Sequence, residues 1–160
     1  VCSSDLGTIA RRSFERVLPN TQVEYFKTRG LGCDIPEANA KASGKAVADE
    51  HIHEHGTCFN LKDRGLVVIS SCGHAGIVNT ARQAMEVSGV KKIHAVLGGF
   101  HLFPAPDDYL RNTVEAMRKL DPDVIIPMHC SGPGLIAILR SEVSDKVVTS
   151  TTGTEFVFGA

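Results

Sequence analysis

The chain has 160 residues, room for one domain of ordinary size, and its 42% hydrophobic and 22% charged content suits a packed core rather than global disorder. Its 17 basic and 18 acidic side chains nearly cancel, which argues against a nucleic-acid partner and against an anionic membrane surface. No apolar run approaches the roughly 20 residues of a membrane helix, and 6% aromatic content without tryptophan offers no stacking platform for sugars or bases.

Residues 1–50 are weakly patterned and read as an irregular connecting region. A short helix is expected over residues 9–18, where Phe14 and Val17 lie three apart, and a strand over 23–26. Residues 27–49 read as loop, with helix at best over 37–45. From residue 57 the signals sharpen. Two apolar, β-branched runs at 57–61 and 66–71 flank Lys62-Asp63-Arg64-Gly65, which predicts an antiparallel hairpin. A helix follows over 77–88, with Ile77, Ala81, Ala84 and Met85 on one stripe and Gly89 as its stop. Residues 90–98 read as a strand. Residues 107–120 read as a helix with Leu110, Val114 and Met117 on one face and Pro106 at its entry. A strand over 123–128 and a helix over 135–143 come next. Residues 147–149 and 155–158 are expected to close as a hairpin around Thr152-Gly153. This alternation implies a sheet covered by helices on at least one face.

The five cysteines, Cys2, Cys33, Cys58, Cys72 and Cys130, form no CxxC pair, which disfavours a zinc ribbon or a thioredoxin-type site. Reduced thiols in a cytoplasmic protein are the expectation. Asp5, Arg11 and Arg12 interrupt any apolar signal-peptide core, and the start at valine suggests a piece of a longer reading frame.

Three of the seven histidines stand just past predicted strands: His74, His101 and His129. Sites in α/β sheets form at the carboxyl ends of strands, so three imidazoles there can converge on one metal. Imidazole suits zinc, iron, copper and nickel alike. Glycines at 73, 76, 98, 99, 132 and 134 leave room for tight turns beside each histidine. His94 lies inside a strand and reads as structural. His51-Ile52-His53-Glu54-His55 would place three imidazoles on one face of a strand. It is not an HxHxDH metal loop, because the positions for the carboxylate and last histidine hold His55 and Gly56. A polar strand edge is the simpler reading, and His51, His53 and His55 are not expected to ligate metal.

Three blocks carry a family resemblance: Cys72-Gly73-His74-Ala75-Gly76-Ile77-Val78-Asn79-Thr80, Gly98-Gly99-Phe100-His101-Leu102, and Pro127-Met128-His129-Cys130-Ser131-Gly132. In this order they resemble one branch of the metallo-β-lactamase-fold hydrolases, some described as dihydropterin–ribofuranosylaminobenzene-phosphate synthase-like. The resemblance covers about residues 50–160. It implies an αββα sandwich, of which residues 51–160 would be the C-terminal half, with a metal site at one edge of the sheets. Two divalent ions are implied in the full-length protein, zinc being the usual occupant and iron or manganese the alternatives. The metal-1 histidine carries over to His74 and the final metal-2 histidine to His129. The strand block that in many relatives ends in a bridging aspartate here ends in His101, which would either ligate or touch substrate. The HxHxDH loop of the family is absent.

The function implied is a metal-dependent hydrolase using a metal-activated water on a small molecule, with an anionic or phosphorylated substrate in view. The alternatives are a pterin-precursor transferase on the same fold and a non-catalytic metal-binding remnant. Gly73 and Gly76 before one helix, and Ser131 and Gly132 before another, are the expected anion-binding positions. Cys72 and Cys130 flank the ligand histidines; as thiolates they could ligate a metal, but buried packing beside the ligands is the expectation for both. Val67, Ile69, Val96 and Ile125 are expected to face a partner sheet and to lack cover in the chain alone, which would make it inactive and prone to association.

Overall fold

The computed structural model describes residues 2–18, 51, 53–103 and 105–158. One mixed sheet organises them, in spatial order β1 (Cys2–Asp5), β2 (Gly56–Leu61), β3 (Gly65–Ser70), β4 (Ile93–Gly99) and β5 (Val124–Met128). The β1–β2 and β2–β3 pairs are antiparallel, and β3, β4 and β5 run parallel. Helices α1 (Ile77–Ser88) and α2 (Asp107–Leu120) make the two crossovers, and α3 (Pro133–Glu142) follows β5. A three-residue 3-10 turn, His129–Ser131, joins β5 to α3.

The hairpin, the three helices and the two parallel strands form where the periodicity places them. Gly89 caps α1 in the left-handed conformation at φ 72°, and Pro106 stands at the entry of α2. Asp107 and Asp108 in the first turn of α2, with Arg118 and Lys119 in the last, match its dipole. The expected hairpin between 147–149 and 155–158 does not form. Val147 makes a single bridge to Ile125, and residues 155–158 are outside any strand, although Thr152-Gly153 is a turn. Val148 instead donates its N–H to Ile125 O, so residues 147–148 meet β5, while the tail closes on itself only in the turn, where Thr154 N–H reaches Thr151 O.

Residues 9–18 are not helical. Arg12 and Ser13 give their N–H groups to the Asn79 side chain, Arg16 N–H goes to the Tyr109 hydroxyl, and Phe14 meets the Tyr109 ring edge-on at 5.4 Å. These contacts satisfy backbone donors that a lone short helix would have to satisfy for itself. The expected elements at 23–26 and 37–45 lie outside the described residues.

Alternation along the strands separates the sheet's two faces. Leu66, Val68, Val96 and Ile125 lie in the main core cluster with Ile77, Val78, Ala81, Val114 and Met117 from the helices. Val96 and Ile125 are thus covered by the chain's own helices at 0% and 1% exposure, which corrects the expectation that they await a partner sheet. Val67 on the opposite face is also buried at 3%, while Ile69 is only half-buried. Among the described residues no helix is long and apolar enough to cross a membrane.

Candidate metal site at the sheet edge

Topology gathers the site. The parallel strands β3, β4 and β5 end at one edge of the sheet, where their following loops carry His74, His101 and His129. Because β2 is antiparallel to β3, its first residue, Gly56, lies at that same edge opposite Ser70, which brings His51 and residues 53–55 there. Asp5 pairs with Thr57, so the segment after β1 starts there too.

The imidazoles of His51 and His74 stack with centroids 4.2 Å apart, and His74 meets His101 edge-on at 4.3 Å. His101 is half-buried, and burial first, then the charges of His74, His51 and His129, push its pKa from 6.5 down to about 4. It is therefore a neutral imidazole at neutral pH, the form that ligates metals. Its Nε2 is buried without a hydrogen-bond partner among the described residues. His101 and His129 both sit in the left-handed region, at φ 49° and 50°. That conformation costs a non-glycine residue roughly 1–2 kcal/mol, a strain that clusters at functional sites. His129 is exposed.

His74 is anchored by a residue whose role the sequence did not signal. Glu54, with its side chain 3% exposed, accepts from His74 Nδ1 at 2.8 Å and from the N–H groups of Cys72, Gly73 and His74 at 3.1, 2.9 and 3.2 Å. Burial alone would raise its pKa. The His74 side chain and the Gly73 and Cys72 N–H groups outweigh that and hold it at about 2. A carboxylate on Nδ1 leaves Nε2 of His74 as the nitrogen available to a metal, the arrangement common behind metal-bound histidines. The stretch around Glu54 is not a strand, so the one-face arrangement of His51, His53 and His55 does not arise. His51 joins the site, His55 Nδ1 turns to Asp5 at 3.4 Å, and His53 is exposed. His94 is structural in position, with Nδ1 2.9 Å from Asp123.

Cys72 and Cys130 come together, their sulfurs 3.1 Å apart, with Cys72 Sγ 3.8 Å from His101 Nδ1. Burial first, then contact with Cys130, pushes the Cys72 thiol up to about 12, so without a cation nearby it stays protonated. Cys130 Sγ also lies 3.1 Å from Cys72 O and accepts from His101 N–H at 3.2 Å. Ser131 Oγ accepts from Phe100 N–H and donates to Met128 O at 2.6 Å. Leu102 and Phe103 give their N–H groups to Cys130 O. These bonds lace the three histidine-bearing loops into one unit.

The helix N-terminus after Gly76 is already occupied by a carboxyl group from within the chain. Glu15, 4% exposed, takes Val78 N–H at 3.0 Å and Asn79 N–H at 2.8 Å, while Gly73 N–H goes to Glu54 and Gly76 N–H to Gly73 O. An external anion at Gly73 and Gly76 would have to displace these partners, and the Ser131 hydroxyl is engaged as well. The Asn79 side-chain oxygen completes this end by holding the segment that carries Glu15. A cleft of about 320 Å³ opens beside the site, lined by His51, His53, Glu54, His55, Ser71, Cys72 and His74.

The donor chemistry fits a divalent metal: an uncommitted Nε2 on His101, and Sγ of Cys72, one imidazole nitrogen of His101 and Sγ of Cys130 all within 4.8 Å of one another. No protein-family profile matches the chain. Two proteins of Methanocaldococcus jannaschii are similar. One is named 7,8-dihydropterin-6-methyl-4-(beta-D-ribofuranosyl)-aminobenzene-5'-phosphate synthase and is 36% identical over 90 residues, 56% of this chain and 30% of that protein. The other is uncharacterized and 39% identical over 110 residues, 69% of this chain and 40% of that protein. A crystal structure described as a metal-dependent hydrolase of the β-lactamase superfamily superposes with a TM-score of 0.67 at 30% identity, covering 74% of this chain and 45% of that one. The chain thus spans less than half the length of the proteins it matches.

Proposed function

We propose that this chain, which carries the metallo-β-lactamase fold over most of its length, provides one side of a metal-dependent hydrolytic centre with His74, His129 and His101 as ligands. The observation that carries the reading is the convergence of three strand-end loops on one edge, with His74 fixed through Nδ1 by the buried Glu54. Zinc is the expected ion, with iron or manganese as substitutes, and a second ion would need donors beyond these three histidines. A bound divalent ion supplies an activated water near neutral pH and polarises a carbonyl or phosphoryl oxygen.

The chain's own residues supply the rest. Glu54 sets the direction of His74, the low pKa of His101 keeps its imidazole neutral, and Cys130 and Ser131 hold the loops in register. The cleft beside His51, Glu54 and His74 is the place for a small substrate, an anionic or phosphorylated one in keeping with the name of the synthase relative.

That relative also supports a second reading, a pterin-precursor transferase built on the same fold. Cleavage of a phosphodiester, lactone or thioester by water favours the hydrolase; condensation of two substrates favours the transferase. The metal reading is tested by mass-spectrometric metal content of His74→Ala and His129→Ala. Both variants should lose bound metal, and unchanged stoichiometry in both overturns the ligand assignment.

A further inference from the structure

We infer that the ion at this edge is bound through sulfur as well as nitrogen: Cys72 and Cys130 supply thiolates and His101 an imidazole nitrogen, an N/S site for a thiophilic divalent cation. The inference rests on the metal-centre reading above but assigns donors that reading leaves out.

Geometry carries it. Two thiolates each about 2.3 Å from one tetrahedral zinc stand about 3.8 Å apart. The sulfurs are now 3.1 Å apart, and Cys72 Sγ lies 3.8 Å from His101 Nδ1. The sulfur pair therefore needs to open by only about 0.7 Å. The three donors come from the loops after β3, β4 and β5, so one ion would tie together all three strand ends.

The surroundings preserve this approach. A Cβ on Gly99 would come within 2.8 Å of Ser71 O, 2.9 Å of Cys72 Cα and 3.1 Å of Cys130 Sγ, so a side chain there would displace the Cys72 backbone and the Cys130 sulfur. Both cysteines are half-buried, reachable from solvent, unlike the fully buried Cys58. Their Sγ atoms are free thiols rather than a disulfide. Thiolate donors favour zinc, cadmium and cobalt over magnesium and manganese.

The test is titration of the reduced, metal-stripped chain with cobalt(II), followed by absorption. Sulfur ligation produces an intense near-ultraviolet thiolate-to-cobalt charge-transfer band that saturates at one equivalent. The Cys72→Ser/Cys130→Ser double variant should lose the band and bind zinc at least about 100-fold more weakly, more than the loss of an outer-shell partner brings. In case that variant misfolds, the unaltered chain is alkylated with and without zinc, and zinc should protect Cys72 and Cys130 together. Cobalt binding with no charge-transfer band, and no protection of either thiol by zinc, overturns the sulfur site and leaves the histidine centre standing. A charge-transfer band that survives unchanged in His74→Ala and His129→Ala supports the sulfur site while removing the histidine centre. No cobalt bound by the unaltered chain overturns both.

Discussion

Replacing Glu54 with glutamine removes one charge and leaves the shape of the side chain almost unchanged. The carboxylate has a pKa of about 2 in the folded chain against an ordinary 4.5. At 1.36 kcal/mol per pH unit, that difference is on the order of 3 kcal/mol of folding free energy at neutral pH. The side chain is 3% exposed, so solvent screens little of it. The contacts support the same size: four N–H donors converge on the carboxylate, and glutamine would keep one acceptor oxygen and turn an NH2 group toward donors. Glu54→Gln should therefore lower stability by about 3 kcal/mol at pH 7, read by urea unfolding.

The sign of the pH dependence follows from a folded-state pKa below the unfolded one. The contribution is complete above about pH 5 and is lost as pH falls through about 2; at pH 3 less than half of it remains. The gap between wild type and variant should narrow accordingly. A gap under about 1 kcal/mol at pH 7, or one of equal size at pH 3 and pH 7, would refute the assignment of Glu54 as the charged anchor of the His74 loop.

Glu15 behaves in the opposite sense, because burial raises its pKa above 4.5. Its contribution is complete below pH 4.5 and declines as pH rises through the raised value, so Glu15→Gln should cost about 1–2 kcal/mol near pH 4 and less at pH 7, by the same unfolding assay. Gly98→Ala should destabilise by about 3 kcal/mol or more, since φ is +118° there and an added Cβ would overlap the Ser70 carbonyl; thermal unfolding measures it, and a loss below about 1 kcal/mol contradicts the packing of β4 on β3. His94→Ala should leave bound metal unchanged by mass spectrometry, because its imidazole is engaged with Asp123 away from the cluster.

The strands and α-helices between residues 56 and 142 were legible in the sequence because their periodicity agrees with their burial, whereas the hairpin expected over 147–158 was not. The stripe Ile77, Ala81, Ala84 faces the core, and the β-branched runs are β2, β3, β4 and β5. The position of His74, His101 and His129 in the loops beyond the parallel strands was legible as well, since every parallel strand ends at the same edge and the loop after it is placed by chain order. What the tertiary structure decided are the long-range partners. Glu54 meets the N–H of Gly73, 19 residues on, and Glu15 caps a helix more than 60 residues away. Cys72 and Cys130 touch across 58 residues. No local pattern encodes such pairs, because each depends on strand order and register, which bring together segments that share no period. The same cause turned residues 9–18 from an expected helix into an irregular strap: backbone donors found the Asn79 and Tyr109 side chains, and those tertiary bonds outweigh a weak local preference.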